Sequence, residues 1–276
     1  MYLKTLMAHL ELGQSNSGLL AITADLAHRV GAHVIGVACC QPMRLDWQDA
    51  YITAGLLAED RKEIEVQMAA AEQELHAVLD AKSAGVEWRS TVTLGALSDY
   101  IAHQARAADL VITGPQMPGS AQDRSRRVGI ADLVMQAGRP VLIVPNGTKR
   151  LNLDRVLVAW KNSRECRRAI SDALPLLKLA KDVTVSEIAP DEEMSRAKHH
   201  LADVVDWLAR HGIGANGKAI VSTATDSERL REIAARDQVD LIVAGAYGHS
   251  RVREWVLGGV TGDFLLDPDR CVFVSH

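Results

Sequence analysis

The chain has 276 residues, 47% hydrophobic and 24% charged, enough apolar material for a sizeable core. This excludes a disordered chain or a miniprotein that depends on disulfides. Net charge is −4, from 31 basic and 35 acidic residues shared evenly between the halves, so nothing points to nucleic acid. No apolar stretch approaches membrane-spanning length, and His9 and Glu11 interrupt the first apolar run before it could serve as a secretory signal. The expectation is a cytoplasmic chain with no membrane partner. Cys39, Cys40, Cys166 and Cys271 lack the spacing of a redox or zinc motif and read as buried, inert thiols.

In chain order, 3–8 is a short apolar run that ends in the polar loop ELGQSNS. A helical pattern follows, with Leu19, Ile22, Leu26 and Val30 on one face and Ser17 as its expected cap. HVIGVACC (33–40) is continuously apolar, as a strand buried on both faces of a parallel sheet should be. A long helical pattern covers roughly 56–82 and EWRSTVT reads as a strand. LSDYIAHQARAA reads as a helix capped by Ser98. DLVITG (109–114) and PVLIVP (140–145) are two more buried strands around a helix-compatible segment. Residues 42–65 contain Met43, Leu45, Trp47 and Tyr51, an apolar set inside an expected loop that either packs on the body or covers a site.

The same order then recurs: LDRVLVAW (153–160), a helix over RECRRAISDALPLLKLA, DVTVSEIA, a helix over MSRAKHHLADVVDWLARHG, GKAIVS, a helix over SERLREIAARDQ, VDLIVAG (239–245), a last helix and CVFVSH. ADLVITG matches VDLIVAG. The offset between the copies is 151 from Lys4 to Arg155 but 131 from Leu110 to Leu241. About 20 extra residues must therefore lie between the second and third strands of the first copy. The expected fold class is α/β, with two similar open units, 1–147 and 151–276, each with a five-stranded mainly parallel sheet flanked by helices. NGTKRLN (146–152) joins them. PVLIVP and CVFVSH end their units and would each leave an open edge, so antiparallel pairing between them is expected at the centre. Further homodimerisation is compatible with this arrangement.

In open parallel sheets, ligands bind beyond the carboxyl ends of the strands, where strand order reverses. The segment LIVAGAYGHSRVREWVLGGVTGDFLL (241–266) places Gly245 at a strand end, Gly248 three residues on, and Gly258–Gly259 after nine intervening residues. Glycines at such turns let backbone N–H groups approach a phosphate, and helix N-termini favour one. The Gly245-x2-Gly248-x9-Gly258 pattern, with its A-G-A-Y-G-H-S-R lead-in, resembles the phosphate-loop signature of the universal stress protein family. The resemblance covers both α/β units, as a tandem member of that family. It implies an open α/β fold and an adenine nucleotide, ATP or AMP with Mg, held by Gly245, Gly248, His249, Ser250, Gly258, Gly259, Val260 and Thr261, with Ala159, Trp160 and Lys161 from the first strand of that unit. The chain departs from the family pattern at two points. Gly259 stands where a hydroxyl residue is usual, and Lys161 stands where nucleotide-binding members carry an Asp that holds the nucleoside.

The first copy departs further, with Pro115 and Met117 in its corresponding loop, and no nucleotide site is expected there. Arg124, Arg126 and Arg127 either meet an anion or, as a charge run usually does, face solvent. His9 and His249 lie at strand ends, where an imidazole meets either solvent or a ligand, and Trp160 either stacks on a base or fills the core. His199 and His200 point to different sides of one helix and do not share a metal. Walker-type and dinucleotide fingerprints are absent, and no nucleophile is paired with a base. The expected function is that of a non-catalytic stress-response regulator that binds nucleotide in its second unit and works through an unknown protein partner. The alternatives are a nucleotide-free scaffold of the same fold and a slow ATPase or other hydrolase.

Overall fold

The computed structural model describes residues 3–43, 54–115, 126–222, 225–246 and 268–276. Among the described residues, ten strands form one sheet: β1 (Thr5–His9), β2 (His33–Cys40), β3 (Val86–Val92), β4 (Leu110–Thr113), β5 (Val141–Ile143), β6 (Arg155–Trp160), β7 (Asp182–Ala189), β8 (Ala215–Val221), β9 (Leu241–Gly245) and β10 (Cys271–Ser275). Their order is β3-β2-β1-β4-β5-β10-β9-β6-β7-β8. Each half is an open α/β unit of five strands, parallel within itself. The helices are α1 (Ser17–Val30), α2 (Ala54–Leu79), α3 (Leu97–Gln104), α4 (Ile130–Gln136), α5 (Arg164–Leu177), α6 (Met194–Arg210) and α7 (Asp226–Arg236).

The two units join where expected, through antiparallel pairing of β5 with β10, Leu142 opposite Phe273. Because that seam is antiparallel, the carboxyl ends of the first unit's strands and those of the second lie on opposite rims of the sheet. The sheet divides the interior into two apolar layers. Leu6, Leu20, Leu75, Val158, Leu177, Leu201 and Phe273 belong to one, and Met7, Ile101, Leu133, Leu157, Leu230 and Val272 to the other. Both layers contain residues of both units, so the seam is covered on each face.

Burial explains the strand compositions. In β2 seven of eight residues are buried, because helices cover both faces and leave no reason for polar alternation. The outermost strands β3 and β8 are less buried, and Glu87, Arg89 and Lys218 on them are the kind of charges that discourage edge pairing. Helix α1 buries Leu19, Leu20, Ile22 and Leu26 and stops at Gly31, whose φ of 63° allows its N–H to reach the carbonyl of Ala27.

Equivalent latches register the two copies. The Asp109 carboxylate accepts from the N–H groups of Lys4 and Thr5, and the Asp240 carboxylate accepts from that of Arg155. Thr5 therefore corresponds to Arg155, and the offset at the first strand is 150 rather than 151. The extra residues lie where expected: the connection from β2 to β3 spans 41–85, and that from β7 to β8 spans 190–214. Two caps move. Asn16 rather than Ser17 occupies the N-cap position of α1, without a side-chain cap bond because its side chain folds the preceding loop, and Ala96 occupies that of α3, leaving Ser98 buried in the first turn.

Candidate functional site

Strand order reverses between β1 and β4 in the first unit and between β6 and β9 in the second. The first of these switch points carries a cleft of about 60 Å³, lined among others by His9, Glu11, Asn16, Leu19, Thr113, Gly114, Arg127 and Val144. His9 ends β1 and Thr113 ends β4, side by side, and His9 Nδ1 and the Thr113 hydroxyl share a hydrogen bond of 2.9 Å. Both are buried, His9 to 6% exposure, and this burial pushes the imidazole pKa down to about 4. The ring is thus neutral at pH 7, and it is no surface histidine.

Two residues on, burial raises the Glu11 carboxyl above its ordinary range and Arg127, 3.7 Å away, partly offsets this. Asn16 shapes the turn between β1 and α1: its Oδ1 accepts from the N–H of Glu11 at 2.9 Å, and its Nδ2 donates to the carbonyls of Glu11 and Gln14. With that side chain committed to the loop, the first turn of α1 has no side-chain cap. A Cβ added at Gly114 would meet nothing within 4 Å, so the end of β4 is open.

The arginines beside this cleft are not a solvated run. Arg126 pairs with the buried Asp60 of α2, whose other oxygen accepts from the Met43 N–H at 2.8 Å, and Arg127 faces Glu11. Burial opposes the charge on Asp60, but the bonds from Arg126 and Met43 hold its pKa below the usual carboxylate value. Arg124 and Met117 lie outside the described residues.

The second switch point is built differently. Ala159 on β6 and Ala244 on β9 are register partners, standing where the first unit has His9 and Thr113. Trp160 is buried in the core layer that holds Val158, Cys166 and Leu201, so it fills the core. Lys161 is exposed, and its carbonyl accepts from the Ser163 N–H. Ser163 caps α5 by accepting from the N–H of Cys166. A Cβ on Gly245 would lie 2.5 Å from the Cys166 nitrogen and 2.6 Å from the Glu165 carbonyl carbon, so the start of α5 rests directly on this glycine. Gly248, His249, Ser250, Gly258, Gly259, Val260 and Thr261 lie outside the described residues.

Beside Trp160, its register partner Glu187 accepts from His200 of α6 at 3.3 Å, whereas His199 is exposed near Asp203. The two histidines have separate surroundings, as their helical positions require. Among the described residues no group of three His, Cys, Asp or Glu side chains is placed to hold a metal, and no helix is long and apolar enough to cross a membrane.

Of the residues that line the first cleft, the sequence marks His9 and Arg127, whereas Thr113 and Asn16 do not stand out in it. Thr113 is one hydroxyl in an apolar run, and Asn16 acts through loop geometry that spacing does not encode. The available signal was a comparison of the copies: His9 and Thr113 both align with alanines, and Glu11 aligns with Lys161.

No protein-family model matches the chain, and no curated protein matches it. Solved structures do. Over 99% of its length the chain is similar to a universal stress protein from Archaeoglobus fulgidus DSM 4304, covering 97% of that chain with a TM-score of 0.76 at 15% identity. It is similar over the same 99% to a functionally unknown protein from Pseudomonas aeruginosa PAO1, covering 92% of it, with a TM-score of 0.65 at 16% identity. At such identities the likeness is one of fold, and function has to be argued from the sites.

Proposed function

We propose, for a chain that carries the universal-stress-protein fold twice over in one sheet, a non-catalytic role in the stress response, regulated by an adenine nucleotide (ATP or AMP) at the second switch point. The observation that carries this reading is the place of Gly245: it ends β9 beside β6, at the strand-order reversal, and opens the Gly245-x2-Gly248-x9-Gly258 sequence. The Lys161 ammonium stands at the end of β6 where it can attract phosphate, although it cannot accept hydrogen bonds from a ribose as a carboxylate would. Phosphate therefore matters more than base identity to this site. Occupancy of the glycine loops would bias a surface read by a protein partner. Four buried free cysteines favour a reducing, cytoplasmic setting.

Calorimetry with ATP and magnesium tests the reading. Charge-assisted hydrogen bonds contribute about 1.5–3 kcal/mol each, so two or three amide donors support micromolar binding. Replacing Gly248 with Val should abolish the heat, since a β-branched residue resists positive φ and fills ligand space. Unchanged affinity in that variant would move the site elsewhere. A second reading, a nucleotide-free scaffold of the same fold, is favoured by Lys161 and by the close seating of α5 on Gly245. Absence of binding at millimolar nucleotide would select it.

A further inference from the structure

We propose that the side-chain series Glu187, His200, Asn162 and Arg167 is a pH-sensitive switch: it ties down the turn between β6 and α5 while His200 is neutral and releases Arg167 when His200 is charged. The series begins in the core layer that holds Trp160, on the other face of the sheet from Ala159 and Ala244. Glu187 is 8% exposed, and Trp160, its register partner, is 7% exposed. Among the described residues, Glu187 Oε2 and Trp160 Nε1 have no hydrogen-bond partner. Burying such groups costs stability. The first unit avoids that cost, with Leu10 and Ala38, both buried, at the matching positions. Packing alone therefore gives no reason for a carboxylate here.

The positions of the protons carry the argument. His200 Nδ1 lies 3.3 Å from Glu187 Oε1, and an ionised carboxylate only accepts, so Nδ1 bears the proton. In the neutral ring Nε2 is then an acceptor, and Asn162 Nδ2 stands 3.5 Å from it. The amide is turned this way because its Oδ1 accepts from Arg167 Nη1 at 2.8 Å. Charging the ring makes Nε2 a donor as well. Two donors, His200 Nε2–H and Arg167, then compete for the single carbonyl oxygen of Asn162. His200 wins, because the buried Glu187 carboxylate pins its ring while Arg167 is exposed. The amide turns over, its NH2 group meets the guanidinium, and Arg167 swings free.

The other charges around His200 leave this competition intact. On α6, Arg196 one turn earlier pairs with Glu193, and Asp203 faces His199. Asp191 and Glu192, ahead of α6, are exposed. At the start of α5, Arg164 pairs with Glu165, and Lys161 is exposed. From β8 the same core layer receives the apolar Ala219. The two-state element is thus the Asn162 amide, one residue after Lys161 and at the entrance to α5. Acidification adds a released guanidinium beside the Lys161 ammonium and makes this rim more attractive to anions of any kind. The switch does not depend on the nucleotide reading.

Side-chain NMR of the full chain, with no nucleotide added, tests this. The Arg167 Nε–H and Asn162 amide signals would be assigned by their loss in Arg167→Lys and Asn162→Ala. They would then be followed with the His200 ring from pH 8 to pH 5, the range over which histidine ordinarily changes charge. Both signals should shift in step with the His200 ring, while backbone signals outside the turn stay in place. In His200→Gln, which cannot be charged, both should keep their pH 8 positions throughout. Asn162→Asp offers two acceptor oxygens, so its Arg167 signal should stay fixed at both ends of the range. Gly248→Val should leave the titration unchanged, which keeps this result separate from nucleotide binding. An Arg167 signal that ignores the charging of His200, or that shifts equally in His200→Gln or in Asn162→Asp, would overturn the proposal.

Discussion

At His9, burial turns a residue that ordinarily titrates near neutrality into a fixed polar group. The unfolded chain takes up a proton at this histidine near pH 6.5, whereas the folded chain resists until about pH 4. The folded-state pKa is depressed, so the stability tied to a neutral His9 is complete above pH 6.5, declines as the pH falls through that window, and changes no further below about 4. The decline amounts to about 3 kcal/mol at most. Urea unfolding at pH 7.5 and at pH 4.5 should therefore show a smaller difference for His9→Gln than for the parent chain. An equal difference would assign the acid sensitivity to other groups. The thiols give a second residue-scale expectation. Burial drives Cys39 and Cys271 up to about 12 and raises Cys40, and Cys166 is buried as well. Maleimide should label none of the four rapidly in native protein and all four after denaturation, because the thiolate is the reacting species.

The contrast between two glycines is read at the level of elements. Gly114 and Gly245 occupy matching strand ends, yet only Gly245 is pressed by a helix. Gly245→Ala should push α5 away from β9 and cost about 1–3 kcal/mol, whereas Gly114→Ala should be tolerated, a difference that thermal melts of the two variants would show. Nothing in the sequence separates these glycines, because the distinction lies in how closely another backbone approaches. The strands were legible for the opposite reason: covered on both faces, β2, β4 and β9 need apolar side chains over nearly their whole length, and that demand is written residue by residue. The caps were less so, since Asn16 and Ser17 are both good N-cap residues and only the loop geometry chooses between them. Arg126 and Arg127 had the same difficulty, as their carboxylates come from α2 and from the end of β1. The glycine spacing pointed to the second switch point, but the polar pair at the first required the two copies to be aligned strand by strand.

For the whole molecule, the β5–β10 seam and the two shared core layers make the halves parts of one folding unit. Thermal unfolding followed by circular dichroism should give a single transition for the full chain. A fragment ending at residue 150 would leave Val141–Ile143 as a bare apolar edge, fully buried in the intact chain. That fragment should self-associate, by light scattering, where the full chain does not aggregate, because unpaired strand edges template further pairing. A monodisperse, monomeric fragment would show that each half closes its own edge.

The antiparallel seam also fixes how the chain can speak to its surroundings. Since the strands of the two halves run in opposite senses, whatever docks at the end of β1 and whatever docks at the end of β6 look out in opposite directions, like the two faces of a door. A strand of five to eight residues spans about 17–26 Å, so two occupants cannot touch, compete for one molecule or be grasped by one small partner. Any message between them has to be carried by the sheet itself, as a shift of rigid strands across β5 and β10. A chain with that geometry is suited to be a coupler: it can hold one body on each side and report the state of one to the other without bringing them together.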